Sequence, residues 1–124
     1  MNISQEFVIE RSTDVVWKFF QDVPVVAQCL PGAELLAQKD DGSYEGKLSV
    51  KLGPMAVSFE GTATVAPDPG SMSATIEGKG VDRRGGSRGQ VKVVYTVTSQ
   101  GSGSKVEVDA EITLSGPVAQ FGRT

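Results

Sequence analysis

Hydrophobic and polar residues alternate from the start of the chain. Ile3, Gln5, Phe7 and Ile9 fall on one side, and Ser4, Glu6, Val8 and Glu10 on the other. Period two over residues 2–10 predicts a half-buried strand. The period then changes. Val16, Phe19, Phe20 and Val23 recur at helical spacing and make one apolar face. Ser12 is suited to cap the first turn, and Asp14 lies where the helix dipole favours an acid. Pro24 opens a second short helix to about Leu30, which Pro31-Gly32 ends.

From Leu35 to Leu114 the pattern returns to period two. Tyr44, Gly46, Leu48, Val50 and Leu52 form one apolar set, followed by Met55, Val57, Phe59, Gly61, Ala63 and Val65. Met72, Ala74, Ile76 and Gly78 come next, then Val91, Val93, Tyr95 and Val97, then Val106, Val108, Ala110, Ile112 and Leu114. Turns are expected at Asp40-Asp41-Gly42, at Gly53-Pro54, at PDPG over 67–70, in DRRGGSRG and in SQGSG. Short connections force antiparallel neighbours, because a parallel return needs a long crossover. Residues 34–114 therefore predict a meander with one wet and one dry face.

The expected architecture is a single α+β domain over residues 1–124. It has a curved antiparallel sheet of about seven strands and two short N-terminal helices. Those helices are too small to cover the dry face. Ser115-Gly116-Pro117 predicts the start of a C-terminal helix, incomplete from about residue 117 because Thr124 cuts it short.

Composition narrows the function classes. Twelve basic against fifteen acidic residues give a net charge of −3, which argues against nucleic-acid binding. There is no histidine, so the commonest general base and metal ligand are missing. The single cysteine, Cys29, excludes an intrachain disulfide and reads as a buried, inert thiol. The N-terminus lacks the pattern of a signal peptide, and no apolar run is long enough to span a bilayer. A cytoplasmic protein, at most peripheral to the membrane, is expected.

The dry face carries no acid, lysine or arginine within the clear strand runs. Its hydrogen-bonding side chains are Gln5, Tyr44 and Tyr95. Such a face lacks a titrating group for acid–base chemistry near neutral pH, so no catalytic residue and no metal site is expected. The two tyrosines read either as half-buried rings with their hydroxyls at a rim, or as donors to a ligand carbonyl. The many small residues read as close packing, as bends in the sheet, or as space for an apolar ligand. The surface offers two features. Arg83, Arg84 and Arg88 cluster in a glycine-rich segment, either as a solvated loop or as a contact for an anion, a partner or lipid headgroups. Leu52, Pro54 and Met55 stand at a hairpin tip, folded inward or exposed for contact.

Four segments together resemble one family. They are VWKFFQDVPVVAQCLPGAELL, the GxxSVKLGPMxVSFEG hairpin, GKGVDRRGG and the closing SGPVAQFGR. The order of elements is similar to the helix-grip fold of START-like (SRPBCC) proteins, and the motifs resemble the G-subunit family of carbon monoxide dehydrogenase. The resemblance implies a non-catalytic partner of a molybdenum-containing carbon monoxide dehydrogenase. It implies a role in bringing that enzyme to the inner face of the membrane or linking it to the quinone pool. No covalent cofactor is implied.

With the apolar face, this leads to an expected quinone of menaquinone type, or another isoprenoid or lipid, in an apolar cavity. By parity, Leu48, Val50, Val57, Phe59 and Ala63 would line it. Met72, Ile76, Val91, Val93, Tyr95, Val108 and Ile112 would continue the lining, with Phe19 and Leu30 on the helical side. Two other readings stay open. One is an adaptor that recruits the dehydrogenase and holds no ligand; the other is an enzyme of aromatase or cyclase type on the same fold.

Overall fold

The structure, a computed structural model, describes residues 2–29, 32–52, 54–82 and 84–117, with the side chains of Val50, Leu52 and Met55 left aside. Leu30, Pro31, Gly53 and Arg83 lie outside the described residues. So does the expected C-terminal helix beyond Pro117.

The chain begins with β1 (Asn2–Ile9), followed by α1 (Thr13–Gln21) and α2 (Val23–Gln28). Ser12 caps α1: its Oγ accepts from the Val15 amide at 3.4 Å. Asp22 serves both helices. Its amide donates to Phe19 O at 3.1 Å and closes α1, while its Oδ1 accepts from the Val25 amide at 3.4 Å and opens α2. One residue thus satisfies orphan backbone groups on both sides of a two-helix corner.

Six strands follow: β2 (Ala33–Gln38), β3 (Tyr44–Leu52), β4 (Met55–Asp68), β5 (Ser73–Asp82), β6 (Ser87–Gln100) and β7 (Gly103–Ser115). All pairs are antiparallel, in the order β1-β7-β6-β5-β4-β3-β2. The first strand returns to pair with the last, and β2 forms the other edge. The register places the predicted apolar sets on one face. Phe7, Val106 and Val97 make one row across the strands. Gln5, Val108, Tyr95 and Ala74 make the next, and Ile3, Ala110, Val93, Ile76 and Val65 a third.

One row consists of glycine. Gly46 faces Gly61, Gly61 faces Gly80 and Gly80 faces Gly89. A Cβ at Gly61 would run into the backbone of Lys79 and Gly80, and one at Gly80 would stand 3.1 Å from Glu60 O. At Gly61, and less severely at Gly80, the neighbouring strand approaches so closely that a side chain meets its backbone. This lane is therefore a crease in the sheet rather than space for a ligand.

The core sits at one end of the inner face, beneath α1. Val16, Ala74, Tyr95, Val97 and Val106 are buried there, with Ile9, Trp17, Phe20, Met72, Ile76 and Val108 packed around them. Buried Ser104 donates to Arg11 O at 2.7 Å and ties the β1–α1 connection to β7.

Three local expectations change. The turn expected over 67–70 falls later: Pro67 and Asp68 are in β4, and Ser71 and Met72 donate back to Asp68 O and Pro69 O. Met72 is thus a turn residue with φ 48, not a strand residue, and its carbonyl accepts from Val97 N at 2.8 Å. Arg88 is not in a loop; it lies in β6 opposite Val81 and Ser115. Cys29 is exposed rather than buried, its Sγ within 3.5 Å of Val25 O at the end of α2.

Candidate ligand-binding face

Charge separates by face. Outward, Glu77 faces Lys92, Lys92 faces Glu111, and Lys47 lies between Glu34 and Glu60. Lys105 and Glu107 form an ion pair at 3.1 Å, which raises the Lys105 pKa; Glu6 adds to the effect. Inward, the only charged residue on the described strands is Asp82, at the end of β5. Alternation does not single this residue out. Its mark in the sequence is an Asp ahead of a Gly-rich turn. Asp82 Oδ1 accepts from the Arg84 amide at 3.1 Å, and its carbonyl accepts from Gly86 N at 2.8 Å. The Gly-rich turn is therefore closed on its own Asp82.

The apolar inner face is partly open. Ile3, Phe7, Phe19 and Leu48 are between 42% and 44% exposed. Phe59, Ala63, Ile76, Val91, Val93, Val108 and Ile112 are half-buried along it, while Val57 is buried. Phe59 leans along the crease, its ring 3.5 Å from where a Gly89 Cβ would stand. Val50 pairs with Val57, and Leu52 with Met55 at the hairpin whose turn residue Pro54 is exposed. Arg84 and Arg88 are exposed. A separate depression of about 510 Å³ lies on the outer face, where Thr62, Glu77, Lys79, Gln90 and Lys92 line it. Its polar lining does not match the apolar cavity expected from the sequence.

Tyr95 occupies the boundary between core and open face. It is 5% exposed. The Phe20 ring lies 4.9 Å away at 36°, and Trp17 lies 6.2 Å away at 46°. Gln21 Nε2 donates to the Tyr95 hydroxyl at 3.4 Å. Burial raises the Tyr95 pKa, and the Gln21 donor opposes that shift. Sequence parity put Tyr95 on the inner face but could not show that α1 closes over it. Tyr44 lies half-buried on the same face, opposite Ala63 and one strand in from the β2 edge.

A family model described as the G subunit of carbon monoxide dehydrogenase, CoxG, matches residues 6–124. The chain belongs to that family. A search of curated protein sequences finds no match. Solved structures show the fold at low identity. A conserved protein from Geobacillus kaustophilus is 16% identical with a TM-score of 0.82, covering 99% of this chain and 80% of its own. A Thermus thermophilus protein is 11% identical with a TM-score of 0.68, covering 99% and 84%. The Zhui aromatase/cyclase from Streptomyces sp. R1128 is 12% identical with a TM-score of 0.63, covering 97% and 72%. The CoxG chain thus has the helix-grip architecture expected from its sequence. Among its described residues, no helix is long and apolar enough to cross a membrane, and no group of three or more His, Cys, Asp or Glu is placed to hold a metal.

Proposed function

We propose that this CoxG chain is a non-catalytic accessory of a molybdenum-containing carbon monoxide dehydrogenase. It holds a quinone of menaquinone type on its inner face and links the enzyme to the quinone pool at the membrane. The observation that carries this reading is the inner face itself: continuous, apolar and partly open, with Asp82 as its one charged residue on the described strands, already engaged by its own turn. Such a surface suits an isoprenoid chain, since each buried methylene contributes about 0.8 kcal/mol. Among the described strands Asp82 is the one acid on that face, and its Oδ1 is already bound by the Arg84 amide, which leaves general acid–base catalysis little to work with. Family membership supports the dehydrogenase as the partner.

Native mass spectrometry tests the reading. Protein gently extracted from a host that makes menaquinone should carry a bound quinone, and adding short-chain menaquinone to stripped protein should restore that mass. A chain that stays empty under both conditions overturns ligand binding and leaves a recruitment adaptor as the better account.

A further inference from the structure

We infer that the Tyr95 hydroxyl is the polar anchor of the inner face, donating one hydrogen bond to a carbonyl oxygen of the bound ligand. The inference rests on the ligand-binding reading above and specifies the chemistry the ligand must carry.

Gln21 sets the direction of the bond at Tyr95. Its Nε2 donates to Trp17 O at 3.2 Å and to Tyr95 Oη at 3.4 Å. A backbone carbonyl only accepts, so the contact to Trp17 fixes which end of the amide faces Tyr95. The Tyr95 oxygen is therefore an acceptor in this pair, and its own hydrogen is left over. Among the described residues, the bond from Gln21 is the one hydrogen bond at the Tyr95 hydroxyl. Yet the residue is 5% exposed. Little of the residue meets solvent, and a hydroxyl donor in such a place normally finds a partner in native proteins.

The surroundings hold the phenol in place. Phe20 and Trp17 pack on it, and Ala74 and Val108 flank it in the sheet row. Gln21 is the last residue of α1, so the hydroxyl stands where that helix ends. The adjoining row on the sheet, Ala110, Val93 and Ile76, is half-buried and wholly apolar. A ligand lying on that row with one oxygen toward α1 would supply an acceptor. A quinone has such an oxygen, and a hydrocarbon of the same shape does not.

The experiment compares 2,3-dimethyl-1,4-naphthoquinone with 2,3-dimethylnaphthalene by equilibrium dialysis, for the unaltered chain and for Tyr95→Phe. The substitution keeps the ring and removes the hydroxyl. Naphthoquinone affinity should fall about three- to tenfold in Tyr95→Phe, with the hydrocarbon's affinity the same for both proteins. Gln21→Met, at an exposed position, removes the donor that orients the hydroxyl and should weaken naphthoquinone in the same direction by a smaller factor. Equal loss of both compounds, or no loss of either, overturns the anchor while leaving the apolar site in place. Failure of the unaltered chain to bind either compound overturns the anchor together with the reading beneath it.

Discussion

Tyr95 joins stability to binding at the scale of a single residue. Burial holds its phenol above the ordinary value of 10.0. The folded chain therefore keeps this proton more tightly than the unfolded chain does. The stability this contributes is complete below the unfolded phenol's pKa and is lost as pH rises through the higher folded value. The urea midpoint should fall less in Tyr95→Phe than in the unaltered chain between roughly pH 9 and pH 12. Identical falls would show that Tyr95 titrates as a solvated phenol. Residue-level reading of the sequence placed Tyr95 on the correct face, because alternation fixes parity. It misplaced Cys29 and Met72, because their positions depend on where α2 ends and how a turn closes. Neither leaves a mark in period two.

The crease operates at the scale of elements. Gly46, Gly61, Gly80 and Gly89 have no shared spacing along the chain. They fall into one lane only once three hairpins set the register. That is why the alternation, which revealed both faces and nearly every strand, gave no sign that small residues mark a bend rather than a hole. Two substitutions separate the meanings. Gly61→Ala should cost about 3 kcal/mol, at the upper end for point changes, because the added methyl meets backbone. Gly89→Ala should change stability by less than about 1 kcal/mol, because its methyl would make ordinary contact with Leu114 and Phe59 at 3.5 Å. Chemical denaturation of the two variants measures the contrast. Equal costs would mean that the lane is not a crease.

Across the whole molecule, the sheet divides its work between two faces. The outer face sets Glu77 and Glu111 against Lys92 and flanks Lys47 with Glu34 and Glu60, and the inner face is mostly apolar, with Asp82 as its one charge on the described strands. Arg84 and Arg88 lie outside both the core and the inner face. Exposed charges of this kind contribute little to stability but steer association. Replacing both with alanine should leave the melting temperature within about 2 °C. The same change should weaken capture of the dehydrogenase or of anionic vesicles. Unchanged capture in both assays would assign these arginines to solvent alone.

The central claim is that the inner face is a binding surface rather than ordinary core. Trp17, the only tryptophan in the chain, packs against the core beside Tyr95 and reports on that face. The most direct measurement is a titration of short-chain menaquinone followed by quenching of Trp17 fluorescence. It compares the unaltered chain, Leu48→Glu on the inner face and Lys79→Glu on the outer face. The account predicts saturable quenching in the unaltered chain and in Lys79→Glu, with at least about tenfold weaker binding in Leu48→Glu, where a charge enters the apolar surface. Quenching that does not saturate, or that Leu48→Glu leaves untouched, would contradict it.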